Sequence, residues 1–199
     1  MPSYEIDGLV PVVDPSAYVH PSAVLIGDVI IGPGCYVGPG ASLRGDFGRI
    51  VLQAGSNVQD NCVLHSFPNH ELVVEVNGHI GHGAVLHGCT VRHDALVGMN
   101  AVVMDQAEVG AQAMVAACAF VHAGARLPAR TLSVGMPAKV LRPLTDAEVE
   151  RKQEATAYYQ QLARRCLASM RRVQPRTEPE PDRRRLALAP LPALTERQR

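Results

Sequence analysis

Aliphatic side chains return every six residues along most of this chain. Val19, Leu25, Ile31, Val37 and Leu43 form the first run. After a short insertion come Leu52, Val58 and Leu64, and beyond a longer interruption Ile80 and Leu86. One five-residue step then leads into Val91, Val97, Val103, Val109, Val115, Val121 and Leu127. Glycine often follows the aliphatic residue, as in Ile31-Gly32, Val97-Gly98 and Val109-Gly110. A period of six fits neither an amphipathic helix, at 3.6, nor a half-buried strand, at 2. It predicts an all-β fold, a left-handed parallel β-helix of hexapeptide repeats. Each hexad supplies a short strand and a turn, and three hexads close one triangular coil. Gly, Asn and Asp suit the tight, left-handed turns. Coils stack about 4.8 Å apart, so equivalent residues form columns.

The period stops near Leu127, and the pattern changes. Thr145-Asp146-Ala147-Glu148 is a capping box, with Thr145 as N-cap and Glu148 reaching back. A C-terminal α-helix should run from about Asp146 to Val173, with Leu162, Cys166 and Met170 on one apolar stripe. That stripe would pack on the prism or on a neighbouring subunit. From Pro175 to Pro181 the chain reads as extended and poorly ordered. The expected organisation is therefore a β-helix over residues 1–141, a helix over 142–173 and an extended tail over 174–199.

Composition sharpens this picture. Of 199 residues 47% are apolar, yet there are only 3 Phe, 5 Tyr and no Trp, as suits a narrow prism filled with aliphatic side chains. The net charge of zero conceals a division. Residues 1–141 carry 6 basic and 11 acidic side chains, and residues 142–199 carry 13 and 8. Neither part reads as a nucleic-acid binder, but the basic helix face could meet an anionic ligand. The start lacks the pattern of a secretory signal, and no apolar run reaches the ~20 residues that span a bilayer. Five widely spaced cysteines with no CxxC pair suit reduced thiols and a cytoplasmic protein, buried as small hydrophobes.

The columns say which polar residues can meet. Leu43, Leu64 and Leu86 share one face in successive coils, so Arg44, His65 and His87 form a column beside them. Val58 and Ile80 stack on the preceding face, which aligns Asp60 with His82 and places Gln59 alongside. His65, His82 and His87 form a candidate metal site, although His82 lies on another face from the other two. His122 falls two coils above His87 and is excluded. Arg44 and Asp46 read as an intersubunit ion pair.

At these residues the chain resembles the γ-class carbonic anhydrase group of hexapeptide proteins. The shared motifs are Leu43-Arg44-Gly45-Asp46, Val58-Gln59-Asp60-Asn61 with His65 after it, and Gly81-His82 with His87-Gly88-Cys89. Tyr4-Glu5-Ile6-Asp7-Gly8-Leu9 and Ser42–Ile50 match most closely a branch tied to bacterial phenylacetate degradation, with a carnitine-operon branch as the near alternative. The resemblance implies a homotrimer, with His65 and His87 from one subunit and His82 from the next holding Zn²⁺, or another divalent metal such as Fe²⁺ or Co²⁺. It further implies that Gln59 orients a metal-bound hydroxide, that Arg44, Asp46 and Asp60 support the subunit interface, and that Tyr159 lies near the pocket.

The implied activity is a metal-dependent thioesterase acting on acyl-CoA products of that pathway. Two alternatives stand beside it: a carbonic anhydrase acting on CO₂ and bicarbonate, and a hexapeptide acyltransferase, which needs one catalytic histidine and no metal. Ser66-Phe67-Pro68 follows His65, where the best-known anhydrases carry an acidic proton-shuttling loop. Rapid CO₂ hydration is therefore the weaker expectation.

Overall fold

The computed structural model describes residues 1–187. The hexads wind into a β-helix as the period predicts. One face stacks the strands Tyr18–Val19, Tyr36–Val37, Asn57–Val58, His79–Ile80, Leu96–Val97, Met114–Val115 and Thr131–Val134, all parallel. The other two faces join into one sheet because Val24–Ile31 and Ser42–Leu52 run unbroken around a corner. The register matches the columns. Leu43 pairs with Leu64 and Leu64 with Leu86, while Arg44, His65 and His87 lie abreast beside them.

The core is one continuous column-built stack. Leu25, Leu43, Leu64, Leu86, Val103 and Val121 are each buried, and a small residue sits two places before each at the corner: Ala23, Ala41, Cys62, Ala84, Ala101 and Ala119. Every leucine placed there contributes about 1.5–3 kcal/mol by leaving water. Cys35, Cys62 and Cys89 serve as small buried residues, as expected. Cys118 does not: it occupies a turn at φ 59° and is exposed, because its hexad puts that position outside the prism. At Gly83 the turn demands glycine twice over, since φ is +70° and a Cβ would press into Asn100 Oδ1.

Helix α1 spans Asp146–Ser169. Its capping box forms as predicted, with Glu148 N donating to Thr145 Oγ1 at 3.3 Å and Thr145 N donating to Glu148 Oε2 at 2.9 Å. The helix stops short of Val173, because Met170 turns extended and receives the Tyr18 hydroxyl on its sulfur at 3.3 Å. It packs on its own prism, over the face that carries Tyr18, Tyr36 and Val58. The buried side reads Val149, Lys152, Thr156 and Ala163, with Tyr159 and Cys166 half-buried. Half of that side is polar, so the apolar stripe described only its C-terminal end. Residues 188–199 of the predicted tail lie outside the described residues. No helix among those described is long and apolar enough to cross a membrane.

Candidate functional site

The predicted histidines separate into two clusters. His82 follows the strand His79–Ile80 and turns toward α1. Asp60, in the coil below, meets it with Oδ2 at 2.5 Å from Nδ1. The Tyr159 hydroxyl lies 3.3 Å from Nε2. The carboxylate pairs with Nδ1 as a close ion contact, and in the tautomer that keeps the hydrogen on that side Nε2 is the basic nitrogen and receives the phenol proton. Burial, with Asp60 and Cys62 nearby, pushes the Tyr159 pKa up to about 12, so the phenol stays a donor at neutral pH. The His82 side chain is 45% exposed, so solvent and solutes reach it.

A buried network lies beneath this imidazole. Gln59 Oε1 accepts from the His82 backbone N–H at 3.2 Å, and its Nε2 donates to Asn57 Oδ1 at 3.0 Å and to His79 Nε2 at 2.7 Å. Gln59 is 3% exposed. Its amide is thus engaged on interior partners, and it holds His82 rather than facing solvent. His79 completes the network with Nδ1–H on Thr156 Oγ1 at 3.2 Å. Burial, reinforced by Lys152 and His82, pushes the His79 pKa down to about 3 and keeps this ring neutral.

The second cluster is a line of hydrogen bonds across the neighbouring face. Arg44 Nη1 donates to Asp46 Oδ2 at 2.7 Å, and Asp46 Oδ1 lies 3.0 Å from His65 Nε2. His65 Nδ1 faces His87 Nε2 at 3.1 Å, and His87 Nδ1 meets Asp105 Oδ1 in a short contact. Three hydrogen bonds between two carboxylates require three ring protons, one more than two neutral imidazoles carry. The centre of the line therefore calls for one added positive charge, either a proton or a metal ion.

The donor set fits a metal in part. Two nitrogens on one tetrahedral zinc, with bonds of 2.0–2.1 Å, sit about 3.4 Å apart, close to the facing pair. Each ring also has a carboxylate on its other nitrogen, the support that metal-bound histidines usually have. Yet no group of three histidine, cysteine or acidic side chains able to hold an ion forms among the described residues. His82 is engaged by Asp60 and Tyr159 instead.

Arg44 and Asp46 pair within the chain, and Asp60 is held by His82. All three orient side chains of their own subunit in this structure, whatever they do at an interface. Asp105, His79 and Thr156 were not anticipated. Asp105 could have been found, since Val103 stacks on Leu86 and places it one coil above His87. A groove of about 560 Å³ lies away from both clusters, beside Arg92, Glu108 and Arg126. Its charges are spent on each other, with Arg92 bridging Glu75 and Glu108 at 2.7 Å each.

Comparison with known proteins agrees with this architecture. Residues 11–45 match the model of the bacterial transferase hexapeptide family (six repeats). The carnitine operon protein CaiE of Salmonella agona is 55% identical over 186 residues, 94% of each chain. A hexapeptide transferase family protein from Anaplasma phagocytophilum superposes with a TM-score of 0.79 at 36% identity, over 82% of this chain and 96% of that one. A Bacillus cereus protein provisionally described as an acetyltransferase gives a TM-score of 0.82 at 31% identity, over 83% and 96%.

Proposed function

The chain belongs to the hexapeptide-repeat transferase family, and on that premise we propose that it transfers an acyl group from a coenzyme A thioester to an amine or hydroxyl acceptor. The observation that carries this reading is the line Asp60–His82–Tyr159. A carboxylate 2.5 Å from Nδ1 favours the tautomer that leaves Nε2 basic, and its charge stabilises the imidazolium that forms when Nε2 takes a proton. Exposure leaves that nitrogen within reach of an acceptor. Transfer is favoured over the hydrolase expected from the sequence because two solved relatives, at 31% and 36% identity, are described as transferases.

The chemistry follows from the two nitrogens. An acceptor N–H or O–H displaces the Tyr159 hydroxyl at His82 Nε2. Its heteroatom attacks the thioester carbonyl as Nε2 removes the proton. The tetrahedral species collapses, the C–S bond breaks, and the departing thiolate takes the proton back from the imidazolium. Asp60 holds the positive ring through the cycle. General-base catalysis of this kind contributes about 10²–10⁴-fold.

A second reading rests on the facing nitrogens of His65 and His87. These two would hold a divalent ion, with His82 of a neighbouring copy in a trimer as the third ligand. Such an ion would supply Lewis-acid activation of water for thioester or CO₂ hydration. Free-thiol release from acyl-CoA, measured with and without acceptors and with and without a chelator, separates the two. The transfer reading expects release that needs an acceptor, survives chelation and falls about 100-fold or more in His82→Ala. Acceptor-independent release abolished by the chelator would replace it with the hydrolase.

A further inference from the structure

We propose that His79 is a positioning residue, clamped by Thr156 of α1, that sets the orientation of the His82 imidazole. The proposal rests on the reading of His82 as the general base. His79 lies beneath both supports of that ring. Through Nε2 it receives Gln59, whose other end holds the His82 backbone N–H. Through its ring it meets Tyr159 edge-on, with centroids 5.3 Å apart, and Tyr159 touches His82 Nε2. A shift of His79 therefore moves the backbone anchor and the phenol together.

From outside the coils, α1 holds the His79 ring by a hydrogen bond as well as by the Tyr159 ring. The His79 Nδ1–H has Thr156 Oγ1 as partner, and Thr156 is 2% exposed on the buried side of α1. Without that hydroxyl the buried N–H would lose its acceptor, a cost that favours rotation or tautomer exchange of the ring. Exchange would place a hydrogen on Nε2, where Gln59 already donates. The amide would then have to flip, which presents its NH₂ to the His82 backbone N–H. One hydroxyl on the helix thus decides the direction of the whole relay. The helix is part of the site and does more than cover the prism.

Thr156→Val keeps the shape and removes the hydroxyl, Thr156→Ala removes it with less bulk, and Thr156→Ser retains it. The expected result is a fall in kcat of about tenfold to a hundredfold in the Val and Ala variants, with KM for the acyl donor within about twofold. Thr156→Ser should restore kcat. At one fixed pH, the ¹⁵N shifts of the His82 side chain should move from the Nδ1–H pattern toward an average of the two tautomers in Val and Ala only. Unchanged His82 shifts in both variants would overturn the positioning role, whatever the activity. So would a Ser variant as impaired as Val. Loss of transfer in the parent protein would instead overturn the functional reading and leave the shifts to decide this one.

Discussion

His82 and Asp60 belong to successive coils and meet at 2.5 Å, Nδ1 against Oδ2. The contact comes from the repeat itself: Val58 stacks under Ile80, so the residues two places on face each other across one coil spacing. The hydrocarbon column inside the prism thereby sets the geometry of the polar pair outside it.

Replacing Asp60 with Asn leaves the shape and removes the charge that holds His82 in its tautomer. We expect kcat to fall about 10²–10⁴-fold with KM nearly unchanged. Thermal stability should change little, since both partners are partly exposed and such pairs contribute about 0–1 kcal/mol. Steady-state kinetics with a melting curve on the same preparation checks both statements.

The Arg44–Asp46–His65–His87–Asp105 line allows a separate test. His87→Ala removes one of the two facing nitrogens without touching the Asp60–His82 pair. Transfer should persist within about threefold, in contrast to the loss of about 10²-fold or more expected from removing the base. Elemental analysis of the two proteins, purified without chelator, checks whether any bound ion disappears with His87.

Lys152 is buried, with Nζ donating to Asn77 O at 2.6 Å and lying 3.7 Å from Asp94 Oδ1. Burial, partly offset by Asp94, pushes its pKa down from 10.5 to about 8. Between those values the unfolded chain binds the proton that the folded one has released, so stability gains with rising pH. Relative to Lys152→Met, the wild-type unfolding free energy should rise between pH 8 and 10.5, by an amount on the order of 3 kcal/mol. Denaturant titrations of both proteins at pH 7, 8, 9 and 10 measure the difference, in which the tyrosine and cysteine contributions cancel.

Gly83→Ala strains the turn that follows His82. Positive φ and contact with Asn100 predict a loss on the order of 1–3 kcal/mol and a drop in kcat larger than in KM. Urea unfolding and kinetics on the variant test the pair of effects.

The fold was legible because a solenoid repeats one local rule, and each Val or Leu at its sixth position reports the same inward direction. The columns followed, including the pairing of His65 with His87 and of Asp60 with His82. The helix start was equally plain, since Thr145 and Glu148 lie three residues apart in the chain and need no tertiary help. The underside of α1 was not. Lys152 and Thr156 sit at helical spacing on the buried side, but their burial depends on Asn77, Asp94 and His79, which only docking brings near. Gln59 was read as facing the reacting group for the same reason. Its column was known, but the interior acceptors that turn it inward were not.

The most direct measurement is the fate of the acyl group. Purified protein incubated with an acyl-CoA and a panel of amines and hydroxyl compounds would be followed by mass spectrometry. Acyl transfer predicts acyl-acceptor adduct in stoichiometric balance with released coenzyme A, in a reaction insensitive to chelators and lost in His82→Ala. Free acid as the sole acyl product, formed at the same rate with or without acceptor, would contradict it.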